Sequence, residues 1–133
     1  MALVILIIML ALIEYTVFSF QVGGARMKYG VHAPATTGNP VFERYFRVQQ
    51  NTQEQMIIFI PAIVSFAWMG ESVGWAGNYI ASGLGVIWLI GRFLYAINYV
   101  KDPASRGIGF MMGFIPSVLM ILGTLVCIVI SLL

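Results

Sequence analysis

Four side chains that could bind a charged ligand recur at helical spacing between Phe42 and Glu54. Arg44, Arg47, Asn51 and Glu54 are three, four and three residues apart. Because successive residues of a helix turn by about 100°, all four fall within about 80° of one another. Two guanidinium groups, an amide and a carboxylate on one face suit a small zwitterionic ligand with carboxylates and an amine. The alternative, a helix end whose arginines reach the lipid headgroups, leaves Asn51 and Glu54 unexplained.

A second polar face follows from the spacing of Arg92, Tyr95 and Tyr99, which are three and four residues apart. They lie within about 60° on one side of a helix. Arg92 is roughly 13 Å along that helix from Lys101. A charge at such depth in a membrane pairs or lines a cavity, so the spacing predicts a polar face shared with the Asn51 helix.

Arg106 is the third candidate. Asp102 and Pro103 are typical of a helix N-cap and its first residue, which places Arg106 in the first turn of a last helix. A cation there opposes the helix dipole, and an unfavourable local choice suggests a functional role. An arginine that faces lipid headgroups is the alternative.

The composition predicts an integral membrane protein: 60% of the 133 residues are hydrophobic and 9% are charged. A spanning helix needs about 20 mostly apolar residues, and four stretches qualify. They run from Met1 to about Val22, from about Arg44 to Met69, from about Trp75 to Val100, and from about Pro103 to Leu133. The first lacks a basic start and a cleavage site, so we expect it to be retained. Residues 1–133 thus form one all-α domain, because continuous apolar runs argue against a β-barrel.

The predicted connections are an irregular loop from about Gly23 to Val41 and two short turns, around residues 70–74 and 101–103. Short connections favour an up-down-up-down four-helix bundle. The first and third connections and their helix ends hold cations and the second holds none. The positive-inside rule then places those two connections in the cytoplasm and both termini on the opposite side.

Several chemistries are disfavoured. A net charge of +2 without a long basic patch argues against nucleic-acid binding. We expect no metal, because no metal-binding cluster is present. The single Cys127 is expected to be a buried membrane thiol. Glu14, about midway along the first helix, could pair with a buried arginine, be protonated, or contact a neighbouring subunit.

The chain resembles the membrane-associated proteins in eicosanoid and glutathione metabolism, the MAPEG family, which includes microsomal glutathione transferases and leukotriene C synthase. The resemblance spans most of the chain. It is carried by residues 18–22, Ala25-Arg26, Thr36-Thr37-Gly38, the segment from Phe42 to Glu54, Gly91-Arg92, Tyr95, Tyr99 and Arg106.

The resemblance implies four helices per subunit and a homotrimer, with glutathione as co-substrate between adjacent subunits on the cytoplasmic side. The implied glutathione contacts are Arg26, Arg47, Gln49, Asn51, Glu54, Arg92, Tyr95 and Tyr99, and Arg106 is the implied stabiliser of the thiolate. Two positions depart from the family pattern. Met27 replaces a second arginine of the leukotriene-forming relative, and Gln55 replaces a common glutathione-contacting tyrosine.

These residues predict an enzyme that adds glutathione to hydrophobic electrophiles or reduces a lipid hydroperoxide with it. Lipophilic substrates would enter from the bilayer between helices one and four of adjoining subunits. A non-catalytic lipid-binding or scaffold protein of the same fold is one alternative. A small proton-linked transporter, suggested by Glu14 and Arg92, is another.

Overall fold

Four long helices account for most of the chain, which the computed structural model describes from residue 1 to residue 133. They are α1 (Ala2–Tyr29), α2 (Pro40–Ser72), α3 (Gly77–Lys101) and α4 (Gly107–Leu132), with a single 3-10 turn, Pro103–Arg106, before α4. Each spanning segment is long and apolar enough to cross a membrane. The predicted all-α, four-helix membrane architecture is therefore confirmed.

The bundle is arranged around a central pair of helices. α2 and α3 pack against each other, and each also packs against α1 and α4, whereas α1 and α4 make no substantial contact. Ile7 of α1 lies beside Gly85 of α3, and Phe18 shares a buried cluster with Tyr95, so α1 and α3 run parallel. α1 and α4 consequently lie on opposite sides of the pair and expose apolar faces outward.

Aromatic and aliphatic packing fills the interior. The rings of Phe59 on α2 and Trp88 on α3 stack with their centroids 4.2 Å apart, and both residues are fully buried. Stacked aromatic pairs contribute about 0.5–1.5 kcal/mol beyond the area they bury. Ile63 and Val4, both fully buried, belong to the same cluster, so α1 joins the core of the central pair.

The first connection is shorter than the sequence predicted. Gly23 and Gly24 are helical, and α1 continues to Tyr29. Helical glycine costs about 1 kcal/mol, which the rest of a long helix tolerates. Arg26 and Lys28 lie in the last turn, where cations favour the carbonyl end of a helix. Gly30, at φ 67°, ends the helix in the left-handed conformation.

The start of α2 also lies earlier than predicted, at Pro40 instead of Arg44. The Asn39 side-chain oxygen accepts hydrogen bonds from the backbone N–H groups of Val41 and Phe42, at 2.9 and 3.2 Å. Pro40 occupies the first helical turn, where a missing N–H carries no cost. Asn39-Pro40 is the sequence signal for this helix start, and the predicted loop up to Val41 is therefore too long.

The start of α4 agrees with the sequence in its cap and differs in its first turn. The Asp102 carboxylate accepts a hydrogen bond from the Ala104 N–H at 3.1 Å, as an N-cap does. Arg106 ends the 3-10 turn and precedes α4 instead of lying in its first α-helical turn. Arg106 is still the residue that directly precedes the positive, N-terminal end of that helix.

A fold prediction concerns two glycines of α3. A methyl group on Gly77 would lie 2.6 Å from the Ala67 carbonyl oxygen, whereas one on Gly83 would meet nothing within 4 Å. We expect Gly77→Ala to lose about 1–3 kcal/mol of stability, because backbone of α2 and α3 would have to separate. Gly83→Ala should be neutral or stabilising by up to about 1 kcal/mol. Thermal unfolding in detergent measures both, and equal midpoints would contradict this close contact.

Candidate functional site

Arg92 is the centre of the polar interior. Its side chain is fully buried between α2, α3 and α4, where Gly113 leaves room for its methylene groups. Its Nη2 donates hydrogen bonds to Asn51 Oδ1 at 3.1 Å and to Thr52 Oγ1 at 2.9 Å. The predicted polar face shared by α2 and α3 is therefore present.

From Asn51 the contacts continue along α2 to a half-exposed ion pair. Asn51 Nδ2 donates to Glu54 Oε2 at 3.3 Å, and Arg47 Nη1 lies 3.4 Å from Glu54 Oε1. Both charged side chains are about half exposed, so the pair contributes little to stability. A buried amide, a carboxylate and a guanidinium are thus held together, and the two charged groups remain open to a ligand.

Aromatic rings extend the same group towards the α3–α4 junction. The Arg92 guanidinium carbon lies 4.2 Å from the centre of the Tyr95 ring, which stacks on Tyr99 at 5.3 Å. The Arg106 guanidinium carbon lies 6.0 Å from the centre of the Tyr99 ring. Arg47, Asn51, Glu54, Arg92, Tyr95, Tyr99 and Arg106 therefore form one continuous set of contacts, called here the polar cluster.

The polar cluster borders an open cleft. A cavity of about 460 Å³ at this end of the bundle is lined by Arg47 and Tyr99 together with Arg44, Phe46 and Pro103, among others. Two cations and a phenol on the wall of a cleft can bind carboxylates and stack against a polar ligand.

Two predicted site residues lie outside the polar cluster in this chain. Arg26 Nη1 donates to the carbonyl oxygens of Ala35 at 2.7 Å and Val31 at 3.3 Å, and its guanidinium lies over the Phe42 ring. Gln49 faces the opposite side of α2 from Arg47, and its amide donates to Tyr15 Oη at 3.2 Å.

Arg44 shares the predicted stripe but has a different contact. Its Nη1 donates to the carbonyl oxygens of Val100 and Lys101, at 3.0 and 3.1 Å. These carbonyls belong to the last turn of α3, where a cation stabilises groups that have no intrahelical partner. Arg44 thus fixes α2 to the end of α3, and spacing alone could not separate this role from ligand binding.

Sequence reasoning missed some polar partners. Thr52, which accepts from Arg92, follows Asn51 directly, and a small hydroxyl in a membrane helix gave little signal. The buried Gln55 carbonyl oxygen is without a hydrogen-bond partner, close to the Gly113 position that Arg92 also adjoins. Tyr15 and Ser19 both bond Gln49, and their spacing of four residues on α1 could have revealed a shared face.

Fold and site together define a four-helix integral membrane protein with a polar cleft at one end. The chain belongs to the MAPEG family, whose model matches residues 3–126. An uncharacterised protein of Synechocystis is 44% identical over 123 residues, 92% of this chain and 85% of that protein. Microsomal glutathione S-transferase 2 of Homo sapiens is 40% identical over 114 residues, 84% of this chain and 73% of the relative. Leukotriene C4 synthase of Bos taurus is 30% identical over 109 residues, 79% of this chain and 66% of the relative.

A prediction tests the buried acceptor of Arg92. Thr52→Val keeps the side-chain shape and removes the oxygen 2.9 Å from Arg92 Nη2. We expect a loss of about 1–3 kcal/mol, because a buried charged donor loses an acceptor. Thermal unfolding in detergent measures it.

Thr124→Val is the matched control, since that hydroxyl bonds only the Met120 carbonyl of its own helix. If both valine variants unfold at the same temperature, Thr52 contributes nothing particular to holding Arg92.

Proposed function

We propose that the protein is a membrane-bound glutathione transferase that conjugates glutathione to hydrophobic electrophiles, with glutathione-dependent peroxide reduction as a second reaction of the same thiolate. One observation carries the proposal: an unbroken set of contacts joins the half-exposed Arg47–Glu54 pair to Arg92, the stacked tyrosines and Arg106. Relatives named microsomal glutathione S-transferase 2 and leukotriene C4 synthase support it.

Glutathione matches the polar cluster group by group. The tripeptide carries two carboxylates and one ammonium. Arginine binds carboxylates through paired, charge-assisted hydrogen bonds, which suits Arg47. Glu54 suits the ammonium group, and it is half exposed beside Arg47. Asn51, Arg92, Tyr95 and Tyr99 complete the proposed contacts of this subunit.

The chemistry requires a thiolate, and Arg106 is the residue proposed to stabilise it. Lowering a thiol pKa from about 8.5 by about two units takes roughly 2.7 kcal/mol. One arginine about 4 Å from the sulfur supplies on the order of 4 kcal/mol at an effective dielectric near 20. The helix end adds about 0.3–1 kcal/mol. Arg106 is therefore sufficient without a side-chain base.

A second subunit is proposed to complete the site. Arg26 and Gln49 are turned away from the polar cluster of their own chain, towards the α1–α2 connection and α1. If they contact the same tripeptide as Arg47, they come from a neighbouring copy in a homotrimer. The site would open to the cytoplasmic side.

Lipophilic electrophiles are proposed to reach the sulfur from the bilayer, between α1 and α4 of adjoining subunits. α1 and α4 expose apolar faces and make no substantial contact with each other within one chain. An apolar site discriminates by only about 1–3 kcal/mol per methylene, which favours a broad detoxifying activity. Met27 in place of a second arginine argues against leukotriene formation, and Gln55 in place of a tyrosine predicts a weaker hold on glutathione.

A prediction tests Arg106. In Arg106→Ala the thiolate absorbance of bound glutathione should be lost, and turnover of a chloronitrobenzene near pH 6 should fall by about 100-fold, because two pKa units are at stake. Difference absorbance and steady-state rates measure these changes. Lys101→Ala removes an exposed cation at the same end and should leave both unchanged. Near-normal turnover in Arg106→Ala would remove that residue from its role.

Another prediction tests whether the site is shared between subunits. Co-expressed Arg26→Ala and Arg106→Ala chains should regain activity, because about a quarter of the sites in randomly mixed rings receive both intact residues. The control mixes Arg47→Ala with Arg106→Ala, which belong to one subunit's polar cluster and should not complement. Complementation by neither pair, in oligomers shown to be mixed, would argue for a site within one chain.

A further inference from the structure

Glu14 directs a carboxylate into the middle of the bundle. It lies on the inward stripe of α1 with Ile7, Ala11 and Phe18, which are all buried. Both of its carboxylate oxygens are shielded from solvent and accept no hydrogen bond. The proposed function assigns it no role, since α1 supplies no residue to the polar cluster of its own chain.

Arg92 also has buried polar atoms without hydrogen-bond partners. Two of its nitrogens, Nε and Nη1, are buried without a hydrogen-bond partner, although Nη2 has two. Its bonded partners, Asn51 and Thr52, are neutral. The only salt bridge of the chain joins Arg47 and Glu54, so neither Glu14 nor Arg92 has a direct ionic partner.

The two groups lie at the same depth. α1 and α3 run parallel, and Phe18 and Tyr95 belong to one buried cluster. Glu14 precedes Phe18 by four residues, about 6 Å, and Arg92 precedes Tyr95 by three, about 4.5 Å. Glu14 enters the bundle interior from α1, and Arg92 enters it from α3, where it contacts Asn51 and Thr52 of α2.

We infer that Glu14 is the counter-charge of Arg92 across the bundle interior and acts as a positioning residue for the glutathione site. The inference rests on the proposed function for its ligand. An isolated buried charge is very costly, and an opposite charge at the same depth in the low-dielectric interior offsets part of that cost. The unpaired Gln55 Oε1 also lies near Arg92 Nη1, since both adjoin the Cβ position of Gly113, but Gln55 is neutral and only Glu14 can offset the charge.

The link to the site runs through Asn51. Arg92 donates a hydrogen bond to the Asn51 side-chain oxygen, and the Asn51 amide nitrogen donates one to the Glu54 carboxylate. A carboxylate on α1 therefore reduces the positive potential that Arg92 projects to the cleft.

The other charged or titratable groups near this pair are few. They are Arg47 and Glu54 on α2 and Tyr95 on α3, while α4 has no charged residue between Gly107 and Leu132.

The experiment compares Glu14→Gln with the wild type in detergent, following calorimetric glutathione affinity and the pH titration of the bound thiolate absorbance. Removing the carboxylate leaves Arg92 uncompensated. Glutathione, an anion, should bind about threefold to tenfold more tightly, and the thiolate should appear at a pH lower by about half to one unit. Loss of a merely structural contact would weaken binding instead.

Two further variants separate charge from shape. Glu14→Asp keeps the charge and should retain the wild-type titration. In the Arg92→Gln background, Glu14→Gln should change neither affinity nor titration, because a buried Glu14 without a counter-charge takes up a proton and is then neutral, as glutamine is. Thr16→Val, on the lipid-facing side of the same helix, should behave as wild type.

Thermal unfolding without glutathione covers the case in which Glu14→Gln folds poorly. The double variant Glu14→Gln, Arg92→Gln should then unfold at a higher temperature than Glu14→Gln alone, because an unpaired buried charge has been removed. This readout also applies if the wild type binds no glutathione, which would refute the proposed function alone. The pairing would be overturned if the shifts in unfolding temperature of Glu14→Gln and Arg92→Gln simply added up in the double variant. An unchanged thiolate titration in a folded Glu14→Gln would overturn it as well.

Discussion

A guanidinium buried at membrane depth is the constraint on which the arrangement of this bundle depends. Arg92 is fully enclosed, so its hydrogen bonds must come from neighbouring helices instead of water. Asn51 and Thr52 on α2 supply the acceptors, and Gly113 on α4 leaves the space. These contacts hold α2 and α3 in one register, and that register sets the positions of the other polar-cluster residues on the two helices.

α2 carries polar side chains on two faces. One carries Arg47, Asn51 and Glu54 towards the cleft, and the other carries Gln49 towards Tyr15 on α1. A helix with polar groups on both sides at this depth is poorly suited to lipid on either side. This composition suits a central position in the bundle, with α1 and α4 carrying the apolar surface.

Helical periodicity predicted the parts of this molecule that depend on local spacing. The four spanning helices follow from apolar length, and the shared face of Arg92, Tyr95 and Asn51 follows from residues three and four apart. Arg44 shows where spacing fails, because its partners are the carbonyls of Val100 and Lys101, more than fifty positions away in sequence. The predicted loop at Gly23 and Gly24 is wrong for a related reason. The rest of a long helix offsets the conformational cost of two helical glycines, which local sequence does not reveal.

Glycines bring the backbones of α3 and α4 into close contact. A methyl group on Gly109 would lie 2.4 Å from the Tyr95 backbone nitrogen, and one on Gly91 would lie 2.8 Å from the Met112 carbonyl carbon. Because these backbones touch, α3 and α4 cannot slide past each other without a steric clash. Side chains on the outward face of α4 lie outside this contact, so substitutions there can change the apolar surface while the junction between the two helices stays in place.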